Sequence, residues 1–336
     1  PQDIIGNCQN GCLVNPLDAE EIANVLVSLL EDKPLWKRYA ENGLKGVREY
    51  YSWPAHAKAY LNVIKPIIAR SEQLVRNPVQ RREALYSDRA IVSDLDLNLI
   101  GDEQALKSLM TVLRQHRKST QFAVCTGRRL DAALRVMKKH KISEPDILIT
   151  SSGTEIYYIP ELTADVAWAK HIDYQWTPHT IIALLKDYPG LSRQEKGEQS
   201  RFKISYFIDP DVADIDEIKR LLHQEEQSVN VQMAFGQYLD ILPMRASKGL
   251  ALRYVAERWQ IPLERIFVAG GSGADEDMMR GNMLAAVVAN RHHEELSQLT
   301  EVERIYFSSK PYAAGLLEAI EYYDFFNTCR DPRGLN

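Results

Sequence analysis

The sequence is poor in cysteine. It has four, Cys8, Cys12, Cys125 and Cys329, in 336 residues, too few and too scattered for a disulfide framework. Cys8 and Cys12 have no second pair of ligands nearby to complete a zinc site, so free thiols in a reducing, cytoplasmic setting are expected. Long apolar runs are missing as well. Stretches such as Ala90-Ile91-Val92 and Ile266-Phe267-Val268-Ala269 fall far short of the ~18 residues that a spanning helix needs. An excess of positive charge is also absent: 41 Lys and Arg face 46 Asp and Glu, for a net charge of −5. No general polycation is available to neutralise nucleic-acid phosphates, although a local basic patch stays open. Neither nucleic acid nor a membrane is therefore an expected partner. The remaining composition, 45% hydrophobic and 26% charged, is that of a packed globular protein, and the length suggests about two domains. The chain opens Pro1-Gln2-Asp3-Ile4-Ile5, with no initiator methionine and no basic or apolar leader, and reads as a segment of something longer.

In the first seventy residues, Cys12-Leu13-Val14 after the Asn10-Gly11 turn reads as a short strand ended by Pro16. Asp18 and Glu21 have the spacing of a capping box, and Ile22, Val25, Leu26, Leu29 and Leu30 then share one helical face. Further helices are expected over 35–50 and 55–69. Three helices and one strand make an incomplete layer, with apolar faces left to pack against another copy or to stay mobile. The charged, weakly periodic stretch 71–89 reads as a linker. From Ala90 onward, strands expected at 90–94, 121–125, 147–150, 266–269 and about 285–289 alternate with helices at about 102–116, 128–140, 248–259, 275–280 and 313–324. That alternation marks a parallel sheet covered by helices. The block 156–243 breaks the alternation, with strands at 157–158, 203–208, 229–233 and 239–242 and helices near 177–187 and 211–224, and reads as an inserted α+β cap.

The sharpest chemical feature is Ile91-Val92-Ser93-Asp94-Leu95-Asp96, a buried-type strand delivering two carboxylates at its C-terminal end, where open α/β sheets place their ligands. Spacing by two turns both side chains to one side of an extended segment, so one carboxylate can attack phosphorus while the other handles the leaving-group proton. Two adjacent carboxylates repel unless a cation lies between them, which implies Mg²⁺. Three companions follow at successive strand ends. Thr126-Gly127-Arg128 offers a hydroxyl and backbone N–H groups at a helix start; Ser247-Lys248-Gly249 opens a helix with a cation; Gly270-Gly271-Ser272-Gly273-Ala274-Asp275 is a Gly-rich loop ending in acid. Each has a plainer explanation: a solvated acidic loop, an ordinary Thr cap with a Gly turn, an exposed lysine on a first turn. Their joint order is the specific signal. Trp168, Trp176 and Tyr174 are expected to pack the cap rather than to stack on a sugar.

This combination over 90–325 resembles the haloacid-dehalogenase-type phosphatases, and among them the sucrose-phosphate phosphatases, whose pattern is matched by Thr126-Gly127-Arg128, Ser151-Ser152-Gly153-Thr154-Glu155, Phe202-Lys203-Ile204-Ser205, Asp240-Ile241-Leu242-Pro243, Ser247-Lys248-Gly249 and Ser272-Gly273. The resemblance implies a Rossmann-like core with an inserted cap, Asp94 as the nucleophile and Asp96 as the general acid/base. It further implies Thr126 and Lys248 on the phosphoryl group, Gly127, Arg128 and Lys203 near the substrate, and Mg²⁺ held by Asp94, the Asp96 carbonyl and, from an outer shell, Asp275. Residues 1–70, through Pro1-Gln2-Asp3-Ile4-Ile5, Asn10-Gly11, Leu13-Val14, Pro16 and Tyr50-Tyr51-Ser52-Trp53, resemble the C-terminal end of a GT-B glycosyltransferase of the sucrose-phosphate synthase type. The whole then reads as an incomplete GT-B segment (1–70), a linker (71–89), a core (90–155 and 244–325), a cap (156–243) and a tail (326–336).

Three departures from the pattern matter. Gly271 stands where the resemblance implies an aspartate that ligates the metal, Asn98 where it implies threonine, and Ala274 where it implies asparagine. A hard cation with one carboxylate fewer is held more weakly, so the phosphatase is expected to be weak or dead. The leading expectation is part of an enzyme that joins UDP-glucose and fructose 6-phosphate, carrying a domain that binds sucrose 6-phosphate. One alternative is a working sucrose 6-phosphate phosphatase in which Asp275 and Asp277 compensate for Gly271. Another is a docking or regulatory module that recruits a separate sucrose-phosphate phosphatase.

Overall fold

The structure is a computed structural model that describes residues 1–75 and 87–333, apart from 293–295, 297, 298 and 300–304. The chain divides into two compact units, 1–82 and 83–336.

In the first unit, the described residues form α1 (Gln2–Cys8), α2 (Ala19–Glu31), α3 (Lys33–Gly46), a π turn over Val47–Tyr51 and α4 (Trp53–Val75). Asp18 caps α2 by accepting the N–H groups of Glu20 and Glu21 at 3.1 and 3.0 Å. Glu21 reaches back to the N–H of Asn15 instead of Asp18, so only half of the expected capping box is made. The strand expected at Cys12–Val14 is irregular chain, because no second strand is described in this unit to take its backbone hydrogen bonds. Helix α1 was not foreseen; seven residues are too few to show a period. Its Cys8 lies against Gly46 of α3, where an added Cβ would overlap the thiol, and these two residues are the buried ones of the described unit. Apolar faces stay uncovered: α2 buries none of its residues, and Leu30 and Trp53 are 76% and 84% exposed. The expected linker 71–89 is helical at its start, as the end of α4, and residues 76–86 of it lie outside the described residues.

The second unit is built on an eight-stranded sheet. Its central strand β1 (Arg89–Ser93) is followed by β2 (Thr120–Cys125), β3 (Ile147–Thr150), β4 (Glu155–Tyr158) and β5 (Thr163–Ala164) on one side. The intervening helices are α5 (Glu103–Gln115) and α6 (Leu130–Lys139). The chain then leaves through α7 (Val166–Ile172) and α8 (Pro178–Leu185) to a separate four-stranded antiparallel sheet, made of β6 (Leu191–Arg193), β7 (Ile204–Ile208), β8 (Val229–Ala234) and β9 (Tyr238–Pro243) in the order β6-β7-β9-β8. Helix α9 (Ile215–Gln224) completes this cap. The chain returns through α10 (Lys248–Trp259), β10 (Ile266–Gly270), the short α11 (Glu276–Met279), β11 (Leu284–Val287), β12 (Ile305–Phe307) and α12 (Tyr312–Tyr322). The core order is β12-β11-β10-β1-β2-β3-β4-β5, parallel through β3 and antiparallel at β4 and β5.

One expected strand and one expected helix start are placed differently. Tyr157-Tyr158, assigned to the cap, lie in β4 and pair with β3 in the core sheet, so the separate sheet begins only after β5. The pairing follows from the tight turn 151–153, which folds the chain straight back along β3. The helix expected from Arg128 starts at Leu130, because Arg128 is held in a turn by Thr126.

Burial explains the parallel sheet. Ala90 to Ser93 and Phe267 to Ala269 are fully buried, as strands covered on both faces must be. Val92, Ala123 and Val268 face one core with α10, while Ile91, Val124 and Phe267 face the other with α5 and α12. Phe267 packs with Tyr323 and Phe325 at ring separations of 6.2 and 5.9 Å, which fastens the end of α12 and the residues after it onto the core. Because β2 leaves β1 on one side and β10 joins it on the other, β1 is a switch point of the sheet, and a crevice opens at its C-terminal end. Replacing Phe267 by Ala is expected to cost about 3–5 kcal/mol of stability, whereas Leu30→Ala shifts it by less than about 0.5 kcal/mol. Urea unfolding followed by tryptophan fluorescence checks the contrast.

Candidate active site

The site begins where β1 ends. Ser93 is in register with Val124 of β2 and Ala269 of β10, so Asp94, Thr126 and Gly271 leave three adjacent strands at the same end. Asp94 donates its N–H to the Ala269 carbonyl at 3.0 Å, and the chain then turns through Leu95–Leu99 with Leu97 in the left-handed region at φ 56°.

Five of the expected residues meet in two ion-paired groups. Lys248, at the first turn of α10, is 2% exposed and donates to Asp94 Oδ1 at 2.8 Å and to Asp275 Oδ1 at 2.6 Å. Ser247 fixes that turn by accepting the N–H of Leu250 at 2.9 Å. Burial pushes the Asp94 carboxyl up to about 7, against the pull of the Lys248 ammonium, with Asp275 and Asp96 adding repulsion. Burial alone would lower Lys248, but the two carboxylates beside it outweigh that and hold it well above the usual lysine range. In the second group, Asp96 is gripped by Arg128 through two parallel hydrogen bonds, Nε to Oδ2 at 2.7 Å and Nη2 to Oδ1 at 2.8 Å. This fork is the strong geometry for a guanidinium and a carboxylate, and it holds Arg128 above its ordinary value despite partial burial. Both oxygens of the expected general acid/base are therefore occupied, and Arg128, expected near the substrate, is committed to that carboxylate.

The other expected residues fall as follows. Thr126 is fully buried, and its Oγ1 accepts the N–H of Arg128 at 3.2 Å, the turn geometry of the plainer explanation. Lys203 is 4% exposed; its Nζ donates to the Gly127 carbonyl at 3.1 Å and lies 3.6 Å from Asp240 Oδ2. Burial pushes the Cys125 thiol, next to Thr126 in sequence, strongly up, which keeps it an inert thiol. Trp168 is buried and donates from Nε1 to the Gly153 carbonyl at 3.1 Å, and Trp176 packs on the cap core. Tyr174 departs from expectation: it is 57% exposed, under the Arg245 guanidinium at 4.2 Å.

Among the described residues, the acidic side chains around the end of β1 are engaged by protein partners rather than gathered around a common point for Mg²⁺. Among the described residues no cluster of three or more His, Cys, Asp or Glu is placed to hold a metal. Asp275 Oδ2 already accepts from the N–H groups of Gly271 and Ser272, each at 3.0 Å, and from Ser272 Oγ at 2.9 Å, while its Oδ1 is on Lys248. The carboxylate of Asp277, proposed to compensate, accepts from Ser247 Oγ and pairs with Arg253. The Asp96 carbonyl accepts from Asn98 Nδ2 at 3.2 Å. Asn98 Oδ1 is buried without a partner, but a neutral amide oxygen does not replace a carboxylate. Gly271 is not required by its backbone, since it is absent from the glycines with positive φ. A Cβ there would meet Val288 Cγ2 at 3.1 Å and Asn98 Nδ2 at 3.5 Å, neighbours able to yield slightly.

Residues 87–324 match the family model described as sucrose-6F-phosphate phosphohydrolase. The chain belongs to that family. A sucrose-phosphatase from Synechocystis sp. PCC6803, solved with sucrose and phosphate, is 30% identical with a TM-score of 0.68, over 71% of this chain and 98% of that one. A haloacid dehalogenase-like hydrolase from Bacillus subtilis shares the fold at 17% identity and a TM-score of 0.52, over 72% of this chain and 94% of that one. "Probable sucrose-phosphatase 3a" of Arabidopsis thaliana is 29% identical over 70% of this chain and 59% of its own length. "Probable sucrose-phosphate synthase 2" of Oryza sativa subsp. japonica is 26% identical over 82% of this chain and 32% of its own length. The chain thus spans only part of these two relatives, and its match to the synthase reaches beyond the share matched by the phosphatases. The core is the haloacid-dehalogenase α/β fold that the motif order led one to expect.

Within the phosphohydrolase domain, Lys248 is the charge that lets two carboxylates be buried together. Lys248→Met is expected to cost about 3–5 kcal/mol, because removing one partner strands the others in a dry interior; thermal unfolding against the unaltered chain checks it.

Proposed function

We propose that residues 87–325 are a sugar-phosphate-binding domain that has lost efficient hydrolysis, carried by a polypeptide of the sucrose-phosphate synthase type. The observation that carries this reading is Gly271 together with the full engagement of Asp275. The loop after β10 presents no side chain at the position where the resemblance places a metal ligand, and its remaining carboxylate accepts four hydrogen bonds from its own loop and Lys248. The nucleophile, the phosphate turn and the lysine are retained. The cation that would neutralise charge on a transferring phosphoryl group has no adequate cage.

The residues that remain can still hold a ligand. Lys248 keeps one cation at the base of the crevice, and the start of α6, just after the Thr126–Arg128 turn, carries no side-chain cap, a setting suited to a phosphate. The cap residues Lys203, Ser205 and Asp240 supply donors and acceptors for sugar hydroxyls. Sucrose 6-phosphate is the ligand proposed, by likeness to relatives named as sucrose-phosphatases and to the one solved with sucrose and phosphate. UDP-glucose and fructose 6-phosphate belong to the proposed parent enzyme. Residues 1–70 are read as the end of its GT-B transferase domain, supported by the longer match to a named synthase. This chain is proposed not to transfer glucose itself. A cytoplasmic setting is part of the same reading; no described helix is long and apolar enough to cross a membrane.

Phosphate release from sucrose 6-phosphate with Mg²⁺ tests the proposal, using Asp94→Asn as the blank and Gly271→Asp as the attempted rescue. The expected result is release by the unaltered chain at the level of the blank, with activity appearing in Gly271→Asp. Release above the blank by the unaltered chain overturns the proposal and makes the domain a working phosphatase. A second measurement separates loss of metal from loss of fold: titration calorimetry with Mg²⁺ alone should show binding to Gly271→Asp at least about tenfold tighter, the effect of one added carboxylate.

A further inference from the structure

The turn between β3 and β4 is the most unusual backbone in the domain. Ser151, Ser152 and Gly153 follow one another with φ of 51°, 59° and 93°, and two of these three are not glycine. Non-glycine residues in this region are strained and persist where their surroundings over-determine them. What surrounds Ser152 is the meeting point of cap and core. Its N–H donates to the Thr126 carbonyl at 3.1 Å, and its hydroxyl, on a residue 1% exposed, donates to Asp240 Oδ2 on cap strand β9 at 2.7 Å. Ser205 of β7 donates to the other oxygen, Asp240 Oδ1, at 2.6 Å. With both oxygens held, the Asp240 carboxylate stays 3.6 Å from Lys203 Nζ, and Lys203 is left to donate to the Gly127 carbonyl at 3.1 Å. The next residue, Gly153, abuts the backbone of Ser247 and Lys248 so closely that an added Cβ would overlap it. The Gly153 carbonyl also accepts from Trp168 at the start of the cap.

We propose that Ser152 is a positioning residue: its hydroxyl clamps Asp240, and through Asp240 sets Lys203 on Gly127, so that the cap is latched onto the phosphate turn before any ligand arrives. The geometry makes the latch cooperative. Asp240 freed from Ser152 has an oxygen to offer Lys203, and a lysine drawn to that carboxylate leaves the Gly127 carbonyl. One hydroxyl therefore decides whether the cap lysine faces the phosphoryl end of the crevice or turns back into the cap. In its ligand arm this rests on the sugar-phosphate reading above.

Glycine is the informative substitution, because it is at home at φ 59° and removes the hydroxyl together with the Cβ that the left-handed backbone disfavours. Asparagine is the conservative partner, since it tolerates the left-handed region and brings an N–H donor. The experiment uses the full chain. Mass spectrometry after brief treatment with an amine-acetylating reagent reads the accessibility of Lys203 without ligand, and calorimetry reads the binding of sucrose 6-phosphate and of inorganic phosphate. Ser152→Gly is expected to unfold at the same temperature or higher. Its Lys203 should be acetylated about tenfold faster and its sucrose 6-phosphate bound about tenfold more weakly, the effect of one charge-assisted hydrogen bond, with inorganic phosphate unchanged. Ser152→Asn should recover part of both effects. Unchanged labelling of Lys203 in Ser152→Gly overturns the latch. Unchanged binding of sucrose 6-phosphate by a variant whose Lys203 has become reactive overturns its coupling to the ligand. Faster labelling in a protein that binds no sucrose 6-phosphate in any form supports the latch and removes the ligand reading instead.

Discussion

A single ammonium group holds the centre of this domain together. Lys248 reaches a position 2% exposed and bonds two carboxylates that are themselves buried, Asp94 at the end of β1 and Asp275 in the loop after β10. Neither acid could sit in that interior uncompensated, because an isolated ion there loses its hydration with nothing in return. The lysine therefore joins three segments that are far apart in sequence. In doing so it fixes the C-terminal edge of the sheet at the switch point, where a crevice must open between strands whose connections diverge. Ser247, by capping α10 and engaging Asp277, orients the helix from which the lysine extends.

The same compactness accounts for what the site lacks. Every carboxylate near the end of β1 has been given a protein partner: Asp94 and Asp275 share Lys248, Asp96 lies in the fork of Arg128, and Asp277 is paired with Arg253. A crevice in which protein cations have taken up the acids has little charge left to attract a divalent metal. Gly271 adds no carboxylate at the position where the resemblance implies one. On the proposed reading, retention of the binding residues alongside loss of the metal position is what separates a domain that holds a phosphate ester from one that cleaves it.

The two units differ in how completely they cover themselves. The second has two continuous apolar layers on the faces of its sheet and a third inside the cap. The first leaves Leu17, Leu30, Trp36 and Trp53 largely in water and has no described strand to serve as a floor. Helices of that kind gain most of their stability from packing on one face rather than from intrinsic propensity.

Much of this was legible from residue order. Fully apolar strands such as Ile91-Val92 and Phe267-Val268 can only be interior strands of a covered sheet, and the alternation with amphipathic helices set the fold class before any contact was known. The ordered motifs at strand ends singled out Asp94, Asp96, Thr126 and Lys248 as candidates, and the absence of a carboxylate at 271 was visible in the letters alone. Tertiary structure decided the pairings. Nothing in the sequence says that Arg128 closes on Asp96, that Lys203 donates to Gly127, or that Ser152 holds Asp240, 88 residues away; such bonds depend on which strands become neighbours and on how the cap is set down. It also moved Tyr157-Tyr158 from cap to core and left Cys12–Val14 without strand partners, because a strand exists only where another edge offers it hydrogen bonds. Local chemistry is written in neighbouring residues, whereas the partners of a buried charge are chosen by the fold that excludes water around it.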